Sequence, residues 1–254
     1  MRRNEDETET MAADRMPPFR HGDQYGRAAR IRQPTLGRRA LLAFVGLIGM
    51  AAMTGLAGAA PETGRPLKLV AFGDSLTAGY GLPQAAAFPT VLQAALTERG
   101  HKVEIANAGV SGDTAPGGLD RLDWSVPDGT DAVILELGAN DMLRGADPAA
   151  TKQALETIIT RLKARQIPVL LAGMFAARNL GPDYIARFDA IYPDLAKRYD
   201  LVLYPFFLDG VTGEAGLALP DGLHPNAEGV RLIVERILPT VETFLARLNG
   251  GSKG

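Results

Sequence analysis

The chain of 254 residues has no cysteine. That excludes disulfides, a thiolate nucleophile, Cys-ligated zinc and a lipidated N-terminal Cys. It leaves export open, because a domain of this size can be stable without disulfides. Charge of one sign is also scarce. The formal net charge is -2, which gives a nucleic-acid partner no electrostatic support. Histidine is rare too, with three in all: His21, His101 and His224. Any imidazole chemistry therefore has few candidates. No internal repeat is present, and a hydrophobic fraction of 46% suffices for one well-packed domain.

Residues 1–60 read as a leader. A polar, basic stretch broken by Pro and Gly accumulates Arg27, Arg30, Arg32, Arg38 and Arg39. An uncharged stretch from Ala40 to Pro61 follows, rich in Ala, Leu and Gly, and Ala57-Gly58-Ala59 near its end suits signal peptidase. Gly37-Arg38-Arg39-Ala40-Leu41-Leu42 resembles a twin-arginine signal. The expectation is an exported protein, periplasmic or secreted. The alternative is an uncleaved membrane anchor, since about 20 apolar residues can span a bilayer.

From Leu67 onward, strand-like and helix-like stretches alternate. Short apolar runs at Leu67–Phe72, Val103–Asn107, Asp131–Leu137, Ile167–Gly173 and Leu201–Tyr204 predict strands. Helical spacing over Phe88–Arg99, 115–123, Pro148–Arg165, Tyr184–Tyr199 and Asn226–Leu248 predicts the helices between and after them. The fold class is α/β: a three-layer α/β/α sandwich with a five-stranded, mostly parallel sheet, occupying 66–249. Residues 250–254 read as a flexible tail.

Such sheets bind ligands beyond the carboxyl ends of their strands. Four polar loops fall there: Gly73-Asp74-Ser75, Ser111-Gly112-Asp113-Thr114, Gly138-Ala139-Asn140-Asp141 and Asp221-Gly222-Leu223-His224. A serine hydroxyl needs a neighbouring base to become a nucleophile. His224 is the natural base, since His21 lies in the leader and His101 precedes a strand, at the opposite edge of the sheet. Asp221, three residues before it, can orient the imidazole and stabilise its protonated form. Backbone N–H groups of Ser75 and Gly112, with the Asn140 side-chain amide, are the expected oxyanion donors. Singly, each residue also has a plain structural use: a helix cap at Ser75, turns at Gly112 and Asp221, a loop brace at Asn140 and Asp141. Four loops carrying complementary groups at one edge favour the catalytic reading.

Those four segments resemble the SGNH (GDSL-type) hydrolase superfamily. They are Phe72-Gly73-Asp74-Ser75-Leu76-Thr77-Ala78-Gly79-Tyr80-Gly81, Asn107-Ala108-Gly109-Val110-Ser111-Gly112-Asp113-Thr114, Glu136-Leu137-Gly138-Ala139-Asn140-Asp141 and Asp221-Gly222-Leu223-His224-Pro225-Asn226. Within the superfamily the chain looks most like the exported bacterial acyl-CoA thioesterase, lysophospholipase and arylesterase group. The resemblance implies a flavodoxin-like sheet, catalysis by Ser75, Asp221 and His224, and an oxyanion hole of Ser75, Gly112 and Asn140. It further implies a carboxylic-ester hydrolase, possessing thioesterase activity as well, that needs no metal or cofactor. Its substrate would be a small-molecule or lipid acyl ester, and membrane contact would come only through an uncleaved leader. Met142, Leu143 and Phe175 are candidates for an acyl groove. A carbohydrate or peptidoglycan O-acetylesterase fits the same chemistry, and a non-catalytic envelope-binding module fits the same scaffold.

Overall fold

Continuous apolar runs build the middle of the sheet. The computed structural model describes residues 64–251. The leader, its twin-arginine motif and residues 252–254 lie outside the described residues. The five strands are β1 (Leu67–Gly73), β2 (Val103–Gly109), β3 (Ala132–Glu136), β4 (Val169–Ala172) and β5 (Val202–Tyr204). They pair in the order β2-β1-β3-β4-β5. Every pairing is parallel, so the expected "mostly parallel" sheet is wholly so. β3 and β4 are buried at every position, whereas β2, at one edge, alternates with exposed residues such as Glu104.

The helices are α1 (Ser75–Ala78), α2 (Phe88–Glu98), α3 (Ala115–Asp120), α4 (Leu122–Ser125), α5 (Ala139–Leu143), α6 (Pro148–Ala164), α7 (Pro182–Asp189), α8 (Ile191–Tyr199) and α9 (Ala227–Gly251). α2 packs on α9, and α6 packs on α3 and α8, which gives the sheet its two covering layers. On α6 the buried residues Leu155, Ile158, Ile159 and Leu162 recur at helical spacing. Full burial of each such side chain contributes about 1.5–3 kcal/mol. The described residues all fall within one compact unit, and none of their helices is long and apolar enough to cross a membrane.

The sequence predicts one helix over Tyr184–Tyr199. The chain instead breaks at Ala190 and restarts as α8 with Pro193 in its first turn. There the missing Pro N–H needs no intrahelical acceptor, whereas inside a continuous helix it would remove a bond and clash with the preceding turn.

β1 lies between β2 and β3, so successive connections leave it on opposite sides. Open parallel sheets bind ligands at such a reversal, just beyond the carboxyl ends of the strands. α1 and α5, each only one turn long, follow β1 and β3 there and carry Ser75 and Asn140.

Candidate active site

Ser75 is the first residue of α1, separated from the end of β1 by Asp74 alone. The cap of that helix is Asp74, whose Oδ1 accepts from Leu76 N at 2.9 Å. Ser75 is thus relieved of the capping role open to it from sequence, and its Oγ lies 2.9 Å from His224 Nε2. On the other side of the ring, His224 Nδ1 lies 2.7 Å from Asp221 Oδ2. With Nδ1–H donated to the carboxylate, Nε2 carries the lone pair and accepts the serine proton.

Asp221 sits on a tight turn that faces its own carboxylate. Oδ1 accepts from Leu223 N at 2.9 Å and His224 N at 3.0 Å. These two backbone donors, His224 N first, together with the imidazole pull the Asp221 pKa down to about 2. The turn is secured from behind. Pro225 holds His224 out of a helical backbone, and Asn226 Oδ1 caps α9 by accepting from Gly229 N at 3.0 Å. His101, by contrast, pairs with Glu242 at 3.2 Å, before β2 and away from these loops.

Gly112 lies in the loop after β2 with φ +83°. A Cβ there would meet only Arg144 Nη2 at 3.8 Å, so backbone conformation rather than space demands glycine. Arg144 Nη2 donates to Gly112 O at 2.7 Å and steadies that peptide. Among the described residues, the N–H groups of Ser75 and Gly112 donate to no protein acceptor. Unengaged N–H donors of this kind suit a developing oxyanion. Asn140 Nδ2 donates to Asp113 O at 2.9 Å and to Asp74 Oδ2 at 3.1 Å, which ties the third proposed donor to both neighbouring loops.

The profile of the GDSL-like Lipase/Acylhydrolase family matches residues 71–232. The chain belongs to this family. Esterase TesA of Pseudomonas aeruginosa is 37% identical over 178 residues, which cover 70% of this chain and 89% of that protein. Thioesterase 1/protease 1/lysophospholipase L1 of Escherichia coli (strain K12) is 38% identical over 168 residues, 66% of this chain and 79% of that protein. Among solved structures, AlinE4, described as an SGNH-hydrolase family esterase, shares 45% identity with a TM-score of 0.61, covering 72% of this chain and 98% of that one. The fold and ester-hydrolase chemistry expected from the four segments are those of this family.

Four residues in and around this GDSL-like site carry roles that the sequence reading did not assign. Arg121 joins the ends of two strands and a loop: Nη2 donates to Gly73 O of β1 at 2.8 Å, Nη1 to Ala108 O of β2 at 2.9 Å, and Nε to Asp113 Oδ2 in the loop after β2 at 2.6 Å. Its guanidinium also lies 4.3 Å from the centroid of the Phe72 ring. The Tyr80 ring lies against His224, with centroids 4.4 Å apart and planes tilted by 34°. Glu136, wholly buried at the end of β3, accepts from Thr77 Oγ1 at 2.8 Å, while its Oε1 has no partner. Burial, with the Asp74 charge beside it, raises the Glu136 pKa well above the usual carboxyl range. Asp74 is buried as well, and burial first of all pushes its pKa up to about 6. Of the two, Asp74 is the one that ionises, because it accepts from Leu76 N and Asn140 Nδ2. Glu136, with one oxygen unsatisfied, keeps its proton. Only a signal of position, two acids at the carboxyl ends of neighbouring parallel strands, marked this pair in the sequence.

The acyl-groove candidates separate. Leu143 and Phe175 are exposed, at 55% and 38%. Phe175 stacks on Phe206 at 4.8 Å between centroids. Met142 is buried among the core residues, because its position on α5 turns it inward while Leu143 turns outward. Asp141, also buried, accepts from Ala115 N and Thr151 Oγ1, bracing α3 and α6.

Proposed function

We propose that this chain is a serine esterase acting on acyl esters and thioesters through an acyl-serine intermediate. In this reading Ser75 Oγ attacks the carbonyl carbon while His224 Nε2 takes its proton. Asp221 holds the imidazole in the required tautomer and stabilises the imidazolium. The developing oxyanion is met by Ser75 N–H, Gly112 N–H and the Asn140 amide. His224 returns the proton to the leaving alcohol or thiol. Water then attacks the acyl-serine by the same route, and Ser75 is regenerated.

The observation that carries the reading is the continuous chain Asp221–His224–Ser75 at 2.7 and 2.9 Å. A second observation supports a lipophilic acyl group over a carbohydrate acetyl. Among the described residues six large hydrophobics are exposed: Tyr80, Val110, Trp124, Leu143, Phe175 and Leu223. Tyr80, Val110, Leu143 and Phe175 lie in the segments that follow β1, β2, β3 and β4, and Leu223 lies on the turn that carries His224. The names of the relatives, an esterase, an arylesterase and a thioesterase/lysophospholipase, accord with such substrates. The order of basic stretch, apolar core and small-residue site in 1–60 supports export to the cell envelope as the setting.

A p-nitrophenyl ester series from acetyl to dodecanoyl tests this reading. The expected profile has kcat/KM for butanoyl to octanoyl esters above that for acetyl. A strong preference for acetyl would move the assignment to an O-acetylesterase. Absence of turnover across the series would leave a non-catalytic binding module.

A further inference from the structure

We infer that the amino-terminal edge of the sheet, at the opposite end of β1 from Ser75, carries a second binding site, for a single-chain amphiphile with a carboxylate head. Lys163 and Arg247 meet the carboxylate, and Ile167, Val169, Val202 and Phe244 form an apolar floor for the tail. These residues line a cavity of about 670 Å³, within the range of about 300–1,000 Å³ usual for ligand pockets. The strands that border it start at different levels. β1 begins at Leu67, whereas β3 begins opposite Leu69. β5 begins opposite Leu170, which lies beside Ile134, itself beside Ala71. The edge of the sheet therefore recedes from β1 to β5. The turns entering β4 and β5 and the last turns of α9 wall the recess.

The charges around the cavity leave room for an anion. Lys163 Nζ donates to a neutral carbonyl, Tyr199 O, at 2.8 Å, and lies 5.8 Å from the centroid of the Tyr199 ring; among the described residues it has no carboxylate partner. Arg247 Nη1 is 3.9 Å from Asp200 Oδ1, and the Asp200 side chain is 98% exposed, so that pair is worth little. Asp131, the other acid on the lining, is already engaged: Arg65 holds both its oxygens at 2.6 Å, and Lys68 N donates to one of them at 2.7 Å. A carboxylate suits the two cations left over, because the guanidinium offers a planar fork and the ammonium a point charge.

The backbone adds an independent observation. α2, α6 and α8 each end in a left-handed residue: Gly100 at φ +88°, Gln166 at +59° and Asp200 at +51°. The next N–H in each case reaches back to close the helix, from His101 to Leu96 O, Ile167 to Leu162 O and Leu201 to Ala196 O. Glycine takes this conformation most cheaply, and α2 uses it. Gln166 and Asp200 are the only non-glycine residues with positive φ among the described residues, and both line this one cavity. Side chains kept where glycine would be easier point to a use for them. Here they place a carboxamide and an exposed acid beside Lys163 and Arg247, at the mouth of the apolar floor.

The test is photolabelling of the full-length Ser75→Ala protein with decanoate carrying a diazirine in its tail, read by peptide mass spectrometry. Label is expected on peptides spanning 163–169, 199–204 or 241–248. Unlabelled decanoate, below its micelle concentration, should suppress that label at a concentration at least about 10-fold lower than decyltrimethylammonium, which keeps the tail and reverses the charge, or acetate, which keeps the head and lacks the tail. Lys163→Gln combined with Arg247→Gln should raise the decanoate concentration needed by at least about 10-fold, as for loss of one charge-assisted hydrogen bond. Leu248→Trp, which fills the cavity from the last turns of α9, should abolish the label. Melting curves establish that each variant folds; should Leu248→Trp not fold, the two exposed cations decide alone. Label confined to the loops around Ser75, equal competition by decyltrimethylammonium, or unchanged labelling in the folded variants would overturn the inference. Because Ser75→Ala protein is used throughout, the result stands whether or not the parent hydrolyses esters.

Discussion

Replacing Asp221 by Asn probes the triad with little change of shape. In the native turn, Oδ1 accepts from Leu223 N and His224 N, while Oδ2 meets His224 Nδ1 at 2.7 Å. The amide oxygen of Asn retains the first pair of bonds, because reversing it would set an NH2 against two backbone donors. Its NH2 then faces Nδ1, which must become an acceptor. The ring proton moves to Nε2, 2.9 Å from Ser75 Oγ. A protonated Nε2 cannot take the serine proton, and the imidazolium also loses its counter-charge. In the serine-protease triad the equivalent change lowers kcat by about 10⁴, which corresponds to about 5.4 kcal/mol of transition-state stabilisation. The carboxylate here is partly exposed, with 36% of its side-chain surface accessible, so the lost charge is partly screened and we expect about 10³ to 10⁴. The assay is kcat for a p-nitrophenyl acyl ester at pH 8, alongside a melting curve to establish that the fold survives. Turnover within 10-fold of the parent in a folded protein would refute the tautomer argument and remove Asp221 from the triad.

Glu136→Gln should flatten the pH dependence of stability. The folded pKa of Glu136 is raised, so native stability is complete below the ordinary carboxyl value and declines as pH rises toward the folded pKa, by at most about 1.4 kcal/mol per pH unit. Gln stays neutral throughout, so the difference in melting temperature between variant and parent should move in the variant's favour from pH 5 to pH 8; a constant difference would show that Glu136 is ionised in the fold. Arg121→Met should destabilise the protein by about 3–5 kcal/mol in urea unfolding, because Asp113, whose side chain is only 14% exposed, is left without its cation and the ends of β1 and β2 lose a common donor. A loss below about 1 kcal/mol would mean the pair is effectively solvated.

The sheet was readable because its central strands are buried on both faces. Asp131–Leu137 and Ile167–Gly173 are nearly unbroken apolar runs, and both contain the observed strands β3 and β4. Short helices were not readable. α1 and α5 are too brief to show a period, although they aim Ser75 and Asn140. The triad was legible because Asp221 and His224 share one turn and few histidines compete. Gly112 and Asn140 were legible through the family resemblance and their place after strands. Arg121, Tyr80, Asp74 and Glu136 were not, since their partners are distant in sequence: Arg121 lies 48 residues from Gly73, and Thr77 lies 59 from Glu136. Nothing local distinguishes a clamping arginine from a solvated one. Met142 shows the converse limit, because adjacent residues on one turn of helix face opposite ways.

The account rests on Ser75 being a nucleophile activated by His224. Intact-protein and peptide mass spectrometry after treatment with a fluorophosphonate measures this directly. One covalent adduct is expected, carried by the peptide containing Ser75, abolished by Ser75→Ala and slowed at least about 10³-fold by His224→Ala. A folded, soluble protein that takes up no adduct, or takes it up equally well after Ser75→Ala, would contradict the account.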